Sequence, residues 1–529
     1  MMARNGSWTS LLALWLIVML TALFTRPLLP VDETRYASVA WEMWLRGDFL
    51  VPYLNAEPYS HKPPLYFWLI HAGWWLFGVH EWVVRAVAPL LALLILFATA
   101  ALSRQLWPTD TGASRLAAWL VFGTTFFTAF LSWVQFDLLL VLMTLLALIG
   151  MVRAARGSLY GWLLCGIAMG LGVLSKGPVI LLQVLPVALL APLWRRTDEH
   201  CGWWHWYAGL FVSVLVAAGI ALAWALPAAQ AGGEAYREAI LWGQTANRML
   251  QSFAHAHPVW WYLPWLPVLF APWTQLPWAW SAMRRYRISN DMGVRLCLGW
   301  LFAGLLVMSL VSGKQVKYLL PLLPAVALTL ARVWSSLDDR PVRQRPWLLS
   351  GVLLVTGGAL AVVPRVLDSA TWLPDISPLW GLLLMATAVM LLLLPALRPA
   401  QYPLRLALLS VWVVLLIHLG IYRTAAPAYD VQAVSELIAG AQANGHEVAI
   451  ATRYHGQFGF AGRLSRPLLQ LDAESLQGWA ARHPHDYLVF ILRTSLEQYP
   501  KAVFTQPYRS GYLGIWTGAV VAAHADVFL

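Results

Sequence analysis

The chain has 529 residues, of which 60% are hydrophobic and only 12% charged, with a formal net charge of +11. So few charges cannot clothe so much apolar surface in water, which excludes a soluble globular protein. The cationic residues fall in short loops between apolar runs, so membrane topology explains the charge and no nucleic-acid partner is expected. Cys165, Cys201 and Cys297 lie in or beside apolar runs and form neither a metal-spaced set nor a disulfide framework.

A helical span needs about 20 apolar residues. The first run, 8–25, follows Arg4, lacks a small-residue cleavage end and is soon followed by Asp32 and Glu33, so it reads as a retained helix. Further spans are expected near 82–102, 115–133, 137–152, 159–175, 178–194, 204–226, 258–283, 295–312, 317–334, 346–364, 377–397 and 405–423. That makes about 13 spans. Leu65 to Gly78 is shorter and rich in Trp, Tyr and Phe, and is read as lying at the interface.

That choice sets the topology. With 65–78 interfacial, the loops holding Arg104/Arg115, Arg153/Arg156, Arg195/Arg196, Arg284/Arg285/Arg287, Arg340/Arg343/Arg345 and Arg398/Arg405 all face the cytoplasm, as short Arg-rich loops do. The N-terminus is then cytoplasmic. The outer face receives the first loop (about 26–81), Gln135–Asp137, Ser175–Pro178, about 227–257, Ser312–Tyr318 and everything after about 424. The chain thus divides into a transmembrane part, 1–423, and an outer part, 424–529. In the latter, Asp430 to Asn444 and Asp472 to His483 read as helices, and Val448–Thr452 and Tyr487–Leu492 as strands. The alternation predicts a small α/β domain.

The residues with chemical potential gather on that outer face. Asp32 and Glu33 stand where the first span leaves the bilayer, a costly place for a carboxylate that points inward. The ordinary alternative is a solvated carboxylate, with Asp32 capping a helix from Thr34 and Arg35 pairing with either acid. The segment from Thr34 to Leu45, with Tyr36 on its apolar stripe, predicts an amphipathic helix on the bilayer. Tyr59, Ser60, His61 and Lys62 precede Pro63–Pro64, whose rings stiffen the turn. A held ammonium at headgroup depth suits a phosphate, and a snorkelling lysine is the alternative. Asp137 lies between apolar stretches and needs a cationic partner, a metal or an acceptor. Arg248 is a second phosphate candidate. His255 with His61 is a candidate pair for a divalent metal. Lys314, Lys317 and Tyr318 stand at the mouth of a span, placed for a phosphate or as interface anchors.

The order of these elements resembles a known group: Asp32-Glu33-x-Arg35-Tyr36-Ala37, Lys62-Pro63-Pro64-Leu65, Glu81-x-x-x-Arg85, the outer Asp137, His255-x-x-Pro258 before aromatics, and Lys314-x-x-x-Tyr318-Leu-Leu-Pro. It looks like the membrane glycosyltransferases of the GT-C fold, in particular the protein O-mannosyltransferase superfamily and the bacterial aminoarabinose transferases that modify lipid A. The resemblance covers the whole layout, and its specific motifs lie mostly within 31–85.

It implies a polytopic α-helical membrane protein in the bacterial inner membrane, with interfacial helices in the first outer loop and a periplasmic C-terminal α/β domain. It implies a polyprenyl-phosphate-linked sugar donor and a glycolipid, glycan or protein acceptor. Asp32 would be the catalytic carboxylate and Asp137 a second one on the acceptor side. Lys62, Arg248, Lys314 and Tyr318 would face the lipid phosphate. In the aminoarabinose transferases a Glu usually precedes the Lys-Pro-Pro lysine; here it is His61, which weakens a metal site built on that position. A general base speeds attack by a hydroxyl by roughly 10²–10⁴, and preplaced cations stabilise a leaving phosphate. A single base opposite the leaving group implies inversion, by analogy with hydrolases. A transporter of lipid-linked sugars would use the same cations without needing Asp32, and a non-catalytic assembly protein would need only the outer domain.

Overall fold

A computed structural model of the chain describes residues 7–195, 202–241, 256–337, 340–367, 369–493 and 496–528. The N-terminal half starts with α1 (Trp8–Thr25) and two helices of the first loop, α2 (Asp32–Arg46) and α3 (Leu65–Phe77). Then follow α4 (Glu81–Leu106), α5 (Thr111–Phe122), α6 (Thr125–Phe130), α7 (Asp137–Ala155) and α8 (Leu159–Lys176). Among the described residues nine helical segments are long and apolar enough to cross a membrane: α1, α4, α7, α8, Trp203–Ala231, Met292–Leu310, Val316–Ser335, Trp347–Val366 and the run from Pro399.

The other four expected spans are shorter or broken, for local reasons. At 115–133 the chain stops at Gly123, where a Cβ would lie 2.9 Å from the Trp273 ring, and restarts as α6. At 178–194 Val179–Leu189 contains Pro186 and yields to a single turn, Ala191–Trp194. At 258–283 Pro264, Pro267, Pro272 and Pro277 withhold backbone donors, leaving the short pieces Val259–Trp265, Leu266–Leu269, Trp273–Gln275 and Pro277–Arg285. Leu379–Leu393 ends before Pro395 at 15 residues. The last bundle helix, Tyr402–Leu416, passes into a π turn, Ile417–Tyr422, where His418 Nδ1 lies 2.8 Å from Thr25 Oγ1 of α1.

The first loop is a folded cap on this bundle. Two strands, β1 (Tyr53–Leu54) and β2 (Glu57–Pro58), form a hairpin whose turn residues Asn55 and Ala56 have positive φ. The Glu42 carboxylate of α2 accepts both turn amides, at 2.5 and 2.9 Å. α3 is too short to cross and packs on α2 and α4.

The C-terminal region adds five strands: β3 (Val448–Ile450), β4 (Leu469–Gln470), β5 (Tyr487–Leu492), β6 (Phe504–Tyr508) and β7 (Gly511–Thr517). The sheet order is β4-β3-β5-β7-β6, with β3 parallel to both its neighbours and β5, β7 and β6 antiparallel. The expected helices run Gln432–Ala443 and Ala473–Arg482, the second capped by Asp472, which accepts from Ser475 N at 2.9 Å. Strand alternation splits the core between the faces. Ile450, Val489, Leu513 and Ile515 pack with Val434 and Ile438, while Ala449, Leu488, Phe490 and Trp516 pack with Leu476 and Trp479. The β6–β7 hairpin has no counterpart in the sequence reading.

This region sits on the first loop. Ser38 Oγ donates to Gly456 O at 2.7 Å and accepts from Phe460 N at 2.9 Å. Trp41 Nε1 donates to Leu464 O at 2.9 Å, and Trp74 stacks on Phe460 with centroids 5.4 Å apart. Asn55 pairs with the backbone of Leu468 through both its amide groups, at 2.9 and 2.8 Å.

Candidate active site

α2 begins at Asp32 with Val31 as its N-cap residue and no side-chain cap, so Asp32 does not cap a helix from Thr34. Its carboxylate is turned outward and is 42% exposed. It pairs with Arg35 one turn on, lies 4.0 Å from Lys317 Nζ, and has Gln135 Nε2 at 3.5 Å. Lys317 also donates to Gln135 Oε1 at 3.2 Å. Residues from α2, from the loop before α7 and from the first turn of Val316–Ser335 thus meet around one half-exposed carboxylate.

Its neighbour Glu33 has the opposite surroundings. It is buried and held by Arg26 at both nitrogens, 2.5 and 2.8 Å, and by the amides of Leu29 and Val134, each at 2.8 Å. Arg26 also donates to Ser132 O and lies over the Tyr422 ring, 5.7 Å from its centroid. All its acceptor capacity is used, so Glu33 pins α2 to the loop before α7. Arg85 likewise joins α4 to α1, donating to Glu81 at 3.1 Å and to the Ala22 carbonyl.

The second carboxylate, Asp137, is the first residue of α7 and is buried. It forms an ion pair with Lys176, the last residue of α8. The Lys176 ammonium also stands 4.3 Å from the centre of the Tyr318 ring. Lys62 lies 5.5 Å from the centre of the Phe136 ring, which packs edge-on against Tyr36 at 4.9 Å. Tyr36 and Tyr59 are buried, and burial first, then the charge of Asp32, hold the Tyr36 phenol well above its ordinary pKa. Phe136 therefore joins Lys62 to Tyr36; the charges of Asp32 and Asp137 act on Tyr36, and that of Lys62 acts on Asp137.

The remaining expected residues fall differently. Lys314 is buried and donates to two backbone carbonyls, His257 O at 2.9 Å and Val311 O at 2.5 Å, so Lys317 is the lysine of this turn that faces Asp32. His61 is exposed, with its ring 5.1 Å from that of Tyr59. Arg248 and His255 lie outside the described residues. Among the described residues no three His, Cys, Asp or Glu side chains converge, so these alone do not build a metal centre around His61.

Sequence reasoning missed Arg26 and did not single out Lys176. Lys176 carried part of the signal that drew attention to Lys62, a lysine just ahead of a proline, here across Gly177–Pro178.

Residues 61–224 match the family model of dolichyl-phosphate-mannose-protein mannosyltransferases, and residues 251–381 that of the Alg9-like mannosyltransferase family. The crystal structure of ArnT from Cupriavidus metallidurans bound to undecaprenyl phosphate superposes with a TM-score of 0.77 over 98% of both chains, at 19% identity. That likeness shows the fold. Taken with the two family-model matches and the relatives that follow, it defines a polytopic membrane glycosyltransferase of the GT-C class.

Two relatives narrow the class. The undecaprenyl phosphate-alpha-4-amino-4-deoxy-L-arabinose arabinosyl transferase of Edwardsiella ictaluri is 30% identical over 390 residues, 72% of this chain and 68% of its own length. An arabinosyl transferase of the same description from Pseudomonas fluorescens is 31% identical over 69% of this chain and 66% of its own. The chain belongs to this family of undecaprenyl phosphate-aminoarabinose arabinosyl transferases.

Proposed function

We propose that the protein moves a sugar, aminoarabinose or a related one, from undecaprenyl phosphate to an acceptor at the outer face of the inner membrane, with lipid A as the leading acceptor. Asp32 takes the proton of an acceptor hydroxyl, and attack from the side opposite the lipid phosphate inverts the sugar carbon. Lys317 and Lys62 meet the charge that grows on the leaving phosphate, with Arg248 as a further cation. Asp137 is held by Lys176 on the acceptor side. The N-terminus and the Arg-rich loops are cytoplasmic, and 424–529 is a periplasmic domain.

The observation that carries this reading is the meeting of a half-exposed carboxylate, Asp32, with Lys317 at 4.0 Å, while Lys317 and Lys62 both act on Asp137, in a chain of this family. The test is sugar transfer by reconstituted Asp32→Asn protein with donor and acceptor supplied on one face. A loss of roughly 10²–10⁴ in kcat is expected. Full transfer by the variant sinks the catalytic role of Asp32 and leaves a carrier of lipid-linked sugars as the better reading.

A further inference from the structure

One cavity lies far from Asp32. It opens between the start of α1, the end of α4 and the start of α5, with a volume of about 520 Å³. α4 carries Arg85, which is bonded to Ala22 O near the C-terminal end of α1, and Arg104 in its own last turn. The rise from Arg85 to Arg104 is about 28 Å of helix, so the cavity stands at the end of the bundle opposite Asp32.

Arg104 and Arg115 line this cavity with Trp8, Trp107 and Asp110. Arg104 Nε donates to Ser114 Oγ at 3.1 Å, which holds its guanidinium against α5 at the residue that precedes Arg115. Ser114 in turn donates to Ala100 O at 3.0 Å, so this corner is fixed to α4. Both arginines are exposed, and among the described residues neither has a carboxylate within ion-pair distance. The acid in the lining is already engaged. Asp110 accepts from Arg332 at 2.7 Å, from Ser335 Oγ at 2.5 Å and from Ala113 N at 2.9 Å. Two guanidinium charges are therefore left facing the cavity, and their forks suit the paired oxygens of a phosphate.

An apolar stripe continues from the cavity along α4. Leu90, Leu94, Phe97 and Arg104 follow one another at helical spacing, and the three apolar side chains are 48%, 50% and 43% exposed. Trp8 carries the cavity lining onto this stripe, its ring stacked on Phe97 with centroids 5.0 Å apart. Indole rings favour the depth of the headgroups. A cationic pocket above an exposed apolar stripe complements a phospholipid, whose phosphate stands at the interface over its acyl chains. A soluble anion would engage the arginines and leave the stripe unused.

We propose that this cavity is a site for an anionic phospholipid of the leaflet opposite Asp32. Arg104 and Arg115 hold its phosphodiester, and Leu90, Leu94 and Phe97 lie along an acyl chain. The bound lipid ties α1, α4 and α5 together at the end of the bundle that Arg332 also fastens.

The test is native mass spectrometry of the full-length protein in detergent, titrated with phosphatidylglycerol or with phosphatidylcholine of the same chains. Arg104→Gln/Arg115→Gln should bind phosphatidylglycerol roughly 10- to 30-fold more weakly, with phosphatidylcholine binding unchanged. Arg284→Gln/Arg285→Gln/Arg287→Gln removes three exposed charges outside the cavity and should change phosphatidylglycerol binding little. Inorganic phosphate, added as competitor, should displace the lipid only weakly. Thermal unfolding in phosphatidylcholine nanodiscs checks that each variant is folded. If the double variant is not, Arg115→Gln alone breaks no recorded contact and should show part of the loss. Equal binding of the two lipids by the unaltered protein overturns the site. So does an equal loss in the double and triple variants, which would mark diffuse surface charge. Inorganic phosphate binding as tightly as phosphatidylglycerol would make it a soluble-anion site and overturn the lipid assignment.

Discussion

Lys176 ends α8 on the Asp137 carboxylate that starts α7, and both side chains are almost wholly buried. The pair locks two neighbouring helices at the end of the bundle where Asp32 lies, and it holds Lys176 over Tyr318. Removing one partner leaves an uncompensated buried charge. Lys176→Met should therefore cost about 3–5 kcal/mol, seen as a lower unfolding midpoint in detergent. Asp137→Asn/Lys176→Met should cost clearly less than the two single changes added together. Additive losses would show that the pair is not coupled.

Adjacent acids should respond in opposite ways. Glu33 is buried in a four-donor cage, whereas Asp32 is half-exposed. Glu33→Gln should lower stability by about 3–5 kcal/mol by stranding the Arg26 guanidinium. Asp32→Asn should leave the unfolding midpoint nearly unchanged while transfer is lost. Differential scanning on the two purified variants decides it.

The two lysines of the 314–317 turn separate in the same manner. Lys317→Ala removes the ammonium 4.0 Å from Asp32 and should cut kcat by about 10²–10³ with little loss of stability. Lys314→Ala removes a bridge between the carbonyls of His257 and Val311, and its effect should appear in the unfolding midpoint first. A larger kcat loss for Lys314→Ala than for Lys317→Ala would reverse the assignment.

At the opposite end of the bundle, Arg332 joins Asp110 at 2.7 Å and Asp291 at 2.9 Å, the residues that cap α5 and Met292–Leu310. Burial works to raise both carboxyls, but hydrogen bonds from Ser335, Arg332, Trp107, Tyr286 and the capped amides hold them below the ordinary value of 3.8. A depressed folded pKa gives stability that is complete above the unfolded value and drains as pH falls below it. The unfolding midpoint should drop as pH falls through about 4, and Arg332→Met should flatten that drop. A midpoint insensitive to Arg332→Met in this range would disprove the linkage.

Gly456→Ala should loosen the C-terminal region from the first loop. The new Cβ meets Leu54 and the Arg35 backbone at a positive φ that only glycine adopts freely. The expected cost is about 1–2 kcal/mol, with faster hydrogen exchange in α2 and a lower kcat. Unchanged exchange in α2 would show that the contact does not hold the loop.

Much of this was written in the chain order. Apolar runs fix spans because backbone amides in lipid must bond within their own segment, and the nine long helices follow those runs. The Asp32-Glu33, Lys62-Pro63-Pro64 and Asp137 signals are local, so they could be read in sequence, as could Tyr487–Leu492 and the helix capped by Asp472. Which of two adjacent acids is structural was not legible, because Glu33 is claimed by Arg26 and by an amide 101 residues away at Val134. Nor was the choice between Lys314 and Lys317, the pairing of Asp137 with Lys176, or the approach of Gly456 to Arg35. Those depend on where distant backbone segments cross. A charge reports its own type in the sequence, but its burial, its partners and so its chemistry are settled only when the fold brings those partners within a few ångströms.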